Sequence, residues 1–434
     1  MASASPAVTR RDYLKETHLP HETPLIATIV AGLCLAFVMG LIAQRLRLPL
    51  IAGYLMAGVI IGPFTPGYVA DQHIADQLAE LGVILLMFGV GLHFSVRDLM
   101  SVAKLAVPGA IGQIAVATLL GTTVGLALGW GIGAGLIFGL SLSVASTVVL
   151  LRALQDRDLV KTDRGKVAVG WLIVEDLVMV LALVLIPALS GVLGGTVVPL
   201  DGGASEVVQW GIGPVAATLL VTLAKVAGFV ALMLVVGRRF IPAVLHYVAH
   251  TGSRELFRLS VLAVALGVAF GSALFFDVSF ALGAFFAGMV MAESTLSTQA
   301  MKETLPLRDA FAVLFFVSVG MLFDPTVILD APLALLATVA IIVGAKSFAA
   351  FGIMRALGQD RGMALTIAAS LAQIGEFSFI LIVMGVNLAI VPAEARNLVV
   401  AGALISILVN PVLFWAVATW EKRATADPLR VPTP

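Results

Sequence analysis

The chain has 434 residues, of which 60% are hydrophobic and 12% are charged, and its mean hydropathy is +1.07. Soluble globular domains usually carry about a quarter charged residues, so this composition excludes an ordinary soluble domain and indicates a polytopic membrane protein. The 26 basic and 26 acidic residues balance, and a chain with no net charge gives no reason to expect a nucleic-acid partner.

Hydropathy predicts an all-α membrane protein with thirteen apolar segments. They cover residues 25–43, 49–64, 77–93, 105–128, 132–153, 166–190, 211–237, 256–275, 278–292, 308–323, 331–356, 362–386 and 396–419. Segments 49–64 and 278–292 are short and rich in glycine. We expect a polar tail at 1–23, a membrane domain at 24–420 and a polar tail at 421–434.

The charges between these segments fall mainly on one side of the predicted membrane. Twenty of the 26 Lys and Arg residues lie in connections that follow odd-numbered segments or after the last segment, whereas the opposite connections are mostly acidic. Because positive charge accumulates on the cytoplasmic side, we expect the N-terminus outside and the C-terminus inside. The expected location is the inner membrane of a bacterium.

The sequence repeats itself weakly at an offset of about 229 residues. LPLIAGYLMAGVIIGP at 48–63 resembles VSFALGAFFAGMVMAE at 278–293, and MFGVGLHF at 87–94 resembles FVSVGMLF at 316–323. The offset shifts the chain by seven segments, and an odd shift reverses orientation in the membrane. We therefore expect two inverted repeats, at about 25–190 and 256–420, joined by a linker helix at 211–237. Such repeats are typical of secondary transporters.

Two adjacent carboxylates, Glu175 and Asp176, lie near the midpoint of the sixth segment, VAVGWLIVEDLVMVLALVLI at 167–186. Carboxylates at membrane depth are costly and usually face a polar path or a cation. Asp176 is the main candidate for cation and proton binding, and Glu175 is a second candidate. Glu175 points about 100° away on a helix, so the pair need not face one cavity. Burial and mutual repulsion are expected to make protonation of at least one of them easier.

The fifth and twelfth segments carry matching polar stretches, SLSVASTVV at 141–149 and SLAQIGEFSF at 370–379. Single hydroxyls in such helices often bond back to the preceding turn. Two polar stretches at repeat-related positions favour broken helices instead, as in many transporters. We predict interruptions near 143–148 and 372–377. Ser146 and Thr147 are the candidate cation ligands there, and Gln373 and Glu376 are candidate supporting residues.

Lys346 lies in the middle of the eleventh segment, where a buried ammonium needs a partner. We expect it to pair with Asp176 or Glu376, or to form a purely structural ion pair. Glu376 itself is either a second proton site or a brace for the broken helices. The sequence contains no nucleotide loop, zinc motif or nucleophile elbow, so we expect neither an enzyme nor a bound cofactor.

These motifs together resemble the monovalent cation:proton antiporters, in the Kef-type branch of bacterial K⁺/H⁺ antiporters and K⁺ efflux systems, from about Leu25 to Trp420. The elements that carry the resemblance are VGWLIVEDLVMVLAL, FALGAFFAGMVMAES, LFFVSVGML and LAQIGEFSF. The resemblance implies a mobile core with unwound, crossed helices, a dimerisation and panel domain, and a homodimer in the bilayer. It also implies that Asp176 binds the cation and the proton in turn, with Lys346 facing it.

The resemblance leaves three questions open. Relatives often have Asn or Gln where this chain has Glu175, so the proton stoichiometry and electrogenicity do not follow from it. Many Kef-type proteins continue into a cytoplasmic nucleotide-binding regulatory domain, and WEKRATADPLRVPTP at 420–434 does not resemble one. Exchange of K⁺ for protons is the expected function. The alternatives are Na⁺/H⁺ exchange, a gated K⁺ efflux channel, and a sensor that has lost transport.

Overall fold

The computed structural model describes residues 24–46, 48–93, 96–155, 157–160, 162–196, 208 and 213–426, and within them it is all-helical. The helices before the linker are α1 (Pro24–Arg45), α2 (Leu50–Ile61), α3 (Gln72–His93), α4 (Val96–Ala127), α5 (Ile132–Ser143), α6 (Thr147–Gln155) and α7 (Asp163–Leu189). The linker region contains α8 (Pro214–Leu232), a π-helical turn (Met233–Gly237) and α9 (Arg238–His250).

The second half begins with α10 (Arg254–Phe276), α11 (Phe280–Ala292) and α12 (Ser297–Met321). It continues through α13 (Val327–Asp330), α14 (Pro332–Val339), a second π-helical stretch (Ala340–Ala345) and α15 (Lys346–Ala356). It ends with α16 (Arg361–Leu371), α17 (Glu376–Asn387) and α18 (Ala393–Ala426).

Within the described ranges, nine helical stretches are long and apolar enough to cross a membrane. The bent pair α16 and α17, whose axes differ by 43°, makes ten if it is counted as one span. Three shorter apolar helices, α2, α5 and α11, add to these. Each predicted segment overlaps one or more of these helices, and residues 211 and 212 fall outside the described residues. The count of thirteen crossings and the inverted repeats stay predictions.

The helices pack in two groups. In the first, α1, α2 and α3 pack against α12, and α3 also packs against α11. Their backbones approach closely where two glycines face each other, at Gly58 with Gly320 and at Gly91 with Gly288. Small residues at helix crossings permit such close contact in membranes. In the second, α4 packs against α5, α7 and α15, and α17 packs against α5 and α18. The second group contains the buried polar residues described next.

The two interruptions predicted from the polar stretches are present. α5 ends at Ser143 and α6 begins at Thr147, which leaves Val144–Ser146 as the first break. α16 ends at Leu371 and α17 begins at Glu376, which leaves Ala372–Gly375 as the second break. Each break frees backbone carbonyl and amide groups in the interior of the protein, because helix ends lack intrahelical partners.

Candidate functional site

The two breaks lie directly against each other. A Cβ atom on Gly375 would lie 2.5 Å from the Cα of Ser146, so only glycine fits at this position. Gln373 joins the breaks through both backbone groups of Ser146: its Oε1 accepts from Ser146 N at 2.9 Å, and its Nε2 donates to Ser146 O at 3.2 Å. The crossing is therefore held by a side-chain amide that binds the opposite backbone.

Glu376 adds a second link between the breaks. Ser146 Oγ donates to Glu376 Oε2 at 3.3 Å and accepts from Val149 N at 3.3 Å, so this serine also caps α6. Glu376 is the first residue of α17, where the positive end of the helix dipole favours a carboxylate. These contacts fit the brace that the sequence analysis offered as one of two roles for Glu376.

Asp176 faces the N-terminus of α6. Its Oδ2 accepts a hydrogen bond from Thr147 Oγ1 at 3.2 Å. Its Oδ1 is buried and has no hydrogen-bond partner among the described residues. Asp176 as a whole is only 4% exposed. One carboxylate oxygen is thus held by a hydroxyl, and the other remains free to bind a proton or a cation.

Glu175 points to a different part of the same break. Its Oε2 accepts from Ala145 N at 2.9 Å, and the whole residue is fully buried. The adjacent carboxylates therefore bind consecutive parts of one interrupted helix, Glu175 at the middle of the break and Asp176 at the start of α6. This arrangement follows from the 100° step between neighbouring helix residues.

Lys346 is fully buried and donates from Nζ to the Gln373 carbonyl at 2.9 Å. The carboxylate that acts on it electrostatically is Glu175. The expected ion pair with Asp176 or Glu376 is not formed in this conformation, because the ammonium is turned toward the backbone of the second break. A pairing in another access state stays a prediction.

Two residues that bind the breaks were not predicted from the sequence. Gln113 of α4 donates from Nε2 to Ser143 O at 2.9 Å, at the end of α5. Asn410 of α18 donates from Nδ2 to Ala369 O at 2.8 Å, in the last turn of α16. Both are amides in the middle of predicted apolar segments, and their polarity at that depth was the signal that could have identified them.

Three other serines of the polar stretches bond within their own helices, whereas Ser378 Oγ donates to Val144 O of the first break at 3.5 Å. Ser141 Oγ donates to Ile137 O at 2.8 Å, Ser143 Oγ to Leu140 O at 2.7 Å, and Ser370 Oγ to Thr366 O at 2.7 Å. For these three, the local explanation considered in the sequence analysis holds. Lys225, also within a predicted segment, forms an ion pair with Asp277 at 2.7 Å, away from the breaks.

The site thus consists of two crossed helix breaks with three buried carboxylates, a buried ammonium and several amides. This arrangement suits the exchange of small cations and protons, since free carboxylate oxygens and helix ends face each other inside the protein. The transmembrane model of the sodium/hydrogen exchanger family matches residues 33–420. The chain belongs to this family, and its function is that of a cation/proton antiporter.

Three relatives illustrate the family. YbaL of Escherichia coli (strain K12), provisionally named a cation/proton antiporter, is 60% identical over 91% of this chain and 68% of its own length. A protein of Methylorubrum extorquens with no described function is 61% identical over 64% of this chain and its own full length. K(+) efflux antiporter 4 of Arabidopsis thaliana is 31% identical over 90% of this chain and 62% of its own length.

The fold agrees with a solved structure. The sodium proton antiporter MjNhaP1 from Methanocaldococcus jannaschii, determined at pH 8, superposes with a TM-score of 0.67 over 91% of this chain and 98% of that chain. The two sequences are 16% identical, so the similarity shows the shared fold alone. It supports the all-helical membrane architecture that hydropathy predicts.

Proposed function

We propose that this chain exchanges K⁺ for protons across the membrane by alternating access, with Asp176 as the group that binds each ion in turn. The observation that carries this proposal is the state of the Asp176 carboxylate. Its Oδ2 accepts from Thr147, whereas its buried Oδ1 has no partner among the described residues. A proton on Oδ1 or a cation beside it would satisfy that oxygen, and the two ligands would compete.

The cation shell would be built from oxygens at the first break. Hard cations prefer oxygen ligands, and Thr147 Oγ1 lies beside Asp176. The Ser146 hydroxyl is already engaged by Glu376 and Val149 in this conformation. Its part in the shell would therefore require that these contacts open during the transport cycle.

K⁺ is favoured over Na⁺ by relatives rather than by geometry. The plant relatives are named K(+) efflux antiporters, at about 30% identity. Na⁺/H⁺ exchange is the second candidate, because the fold is that of a sodium proton antiporter. We further propose a homodimer in a bacterial inner membrane, with the N-terminus outside and the C-terminus in the cytoplasm. The chain spans 62–68% of the length of its named antiporter relatives. For the whole protein, we propose that additional domains regulate the exchange.

Transport by purified protein in liposomes tests the function. A pH-sensitive dye inside the vesicles would report proton movement after addition of K⁺, Na⁺ or Li⁺ on one side, with Asp176→Asn as the matched control. We expect proton flux with K⁺ and none with the variant. Proton flux in response to Na⁺ but not to K⁺ would make Na⁺ the exchanged cation. Cation conductance without coupled proton movement would contradict exchange and favour a channel.

A further inference from the structure

Three buried polar atoms on α4 and α7, next to the first break, have no hydrogen-bond partner among the described residues. They are Gln113 Oε1, Trp171 Nε1 and Glu175 Oε1. Their parent residues are all fully buried. Buried polar groups in proteins are nearly always paired with protein or with an ordered water, so three such atoms in one region require a shared explanation.

Two of the three atoms share one face of α7. Trp171 and Glu175 are four residues apart, so their side chains project to the same side of the helix. The indole N–H of Trp171 is the side-chain donor that faces Glu175, although neither Nε1 nor Oε1 reaches hydrogen-bond geometry. Neither atom has another hydrogen-bond partner among the described residues.

The third atom reaches the same place from α4. Gly109 lies so close to the Trp171 ring that any Cβ there would collide with it. Gly170, one residue earlier on α7, lies against Val102 and Ala106, earlier on α4. Residues later in α7 thus contact residues later in α4, so the two helices run in the same direction.

One helical turn beyond the contact between Gly109 and Trp171 lie Gln113 on α4 and Glu175 on α7. Gln113 follows Gly109 by four residues, as Glu175 follows Trp171, so the two side chains lie at the same level. Both bind the first break: Gln113 Nε2 donates to Ser143 O, and Glu175 Oε2 accepts from Ala145 N, each at 2.9 Å. Their remaining oxygens therefore lie beside the same short segment.

The chemistry of this trio identifies its ligand. Gln113 Oε1 and Glu175 Oε1 are acceptors, and Trp171 Nε1–H is a donor. A cation suits the two oxygens but is repelled by the indole N–H, and an anion suits only the N–H. A water molecule donates two hydrogen bonds and accepts others, so a single water satisfies all three atoms.

We propose that Gln113, Trp171 and Glu175 hold one buried water molecule, and that Gln113 is a positioning residue that fixes Glu175 through it. With the water bound, one Glu175 oxygen is held by Ala145 and the other by the water. Neither is then free for the transported cation, which is left to Asp176. The water also stabilises negative charge on Glu175, so Glu175 can act on Asp176 through its charge without binding the ion.

Two measurements test the water itself, and neither depends on transport. The first is a cryo-EM map of the purified protein at a resolution that shows ordered water; we expect density within hydrogen-bond distance of all three atoms. The second is fluorescence of a protein in which the other four tryptophans are replaced by Phe. We expect Gln113→Met to shift the Trp171 emission to shorter wavelength. A direct Gln113–Glu175 contact without intervening density would overturn the proposal, as would unchanged emission.

The positioning role rests on the proposed exchange and is tested by the dependence of proton flux on pH. Gln113→Met removes the amide, and Trp171→Phe removes the indole N–H together with part of the buried ring but leaves the bond from Gln113 to Ser143 intact. Both should displace the profile toward lower pH, the direction expected for Glu175→Gln, by about half to one pH unit, since one unit corresponds to a tenfold change in proton affinity. Neither should displace it further in a Glu175→Gln background.

Thr118→Val is the matched control. Thr118 lies on α4 beyond Gln113, its hydroxyl also has no partner among the described residues, and its backbone lies against Gly139 of α5 rather than at the break. We expect wild-type emission and a wild-type profile for this variant. A displacement by Gln113→Met that persists in the Glu175→Gln background would refute the link to Glu175. Loss of flux in every protein including wild type would reject the proposed exchange, while the map and the emission would still decide on the water.

Discussion

The first and second helix breaks cross at one point but differ in how their freed backbone groups are satisfied. The first break receives two carboxylates from α7, and one Asp176 oxygen stays unpaired. The carbonyls at the second break receive donors, Lys346 at Gln373 O and Asn410 at Ala369 O. The first break thus lies beside carboxylates with unpaired oxygens, whereas carbonyls at the second break are held by hydrogen-bond donors.

The difference indicates that a broken helix alone does not supply the unpaired carboxylate oxygen that the proposed ion site needs. At the second break, the groups that bind the carbonyls are an ammonium and an amide, which donate hydrogen bonds and repel cations. At the first break, Glu175 accepts from the backbone and Asp176 accepts from the Thr147 hydroxyl, and each carboxylate has a second oxygen with no partner among the described residues. The predictions below test this contrast, beginning with the largest expected effect.

Removal of the titratable group at the first break should abolish transport. Asp176→Asn keeps the shape and the bond to Thr147 but cannot take up and release a proton, so we expect proton flux in proteoliposomes to fall to the rate of protein-free vesicles. The thermal unfolding midpoint in detergent should stay close to that of wild type. Near wild-type flux in this variant would place the exchanged proton elsewhere.

Separation of the two breaks should impair both stability and flux. In Gly375→Ala the added Cβ would overlap the Ser146 backbone, and overpacking of this kind typically costs about 1–3 kcal/mol. We expect a lower unfolding midpoint and a strong loss of flux.

The control is Gly267→Ala in α10, where a Cβ meets nothing within 4 Å. Because glycine inside a helix costs about 0.5–1 kcal/mol relative to alanine, this variant should be unchanged or slightly more stable. Equal behaviour of the two alanine variants would show that the close contact at the crossing is unimportant.

The charge at the second break can be separated from its hydrogen bond. Lys346→Gln keeps an N–H donor for Gln373 O, whereas Lys346→Met removes both donor and charge. Loss of a buried hydrogen-bond partner costs about 1–3 kcal/mol, so we expect Lys346→Met to unfold at lower temperature than Lys346→Gln. Both should alter the pH dependence of flux, because both remove the positive charge that acts on Glu175. An unchanged profile in Lys346→Gln would limit Lys346 to a structural role.

The smallest effect is expected from Glu175, which should tune the exchange while Asp176 carries it. Glu175→Gln removes a negative charge beside Asp176, so protons compete less with the cation and activity should extend to lower pH. The shift should be about half a pH unit or more, since one unit corresponds to about 1.4 kcal/mol. Proton flux against pH at saturating and at low K⁺ measures it. A profile that stays in place or moves to higher pH would reject the coupling.

The sequence by itself determined the membrane class, the positions of the apolar segments and the two interruptions. These features are local, because apolar runs of sufficient length and polar stretches inside them are visible without knowing what packs against them. It also made Asp176 the main candidate for ion binding, since a carboxylate in the middle of a membrane segment is costly wherever it points.

Only the tertiary structure decided which groups meet. Lys346 lies within reach of several candidate partners by sequence, but the packing of α15 directs its ammonium to the Gln373 carbonyl. The polarity of Gln113 is visible in its own segment, but its partner is not: α4 packs against α5, and this places the amide at the Ser143 carbonyl. Adjacent residues Glu175 and Asp176 receive different partners, Ala145 and Thr147. The physical reason is that hydrogen-bond partners at a helix crossing come from residues up to 234 positions apart. Their approach depends on the packing of all the intervening helices.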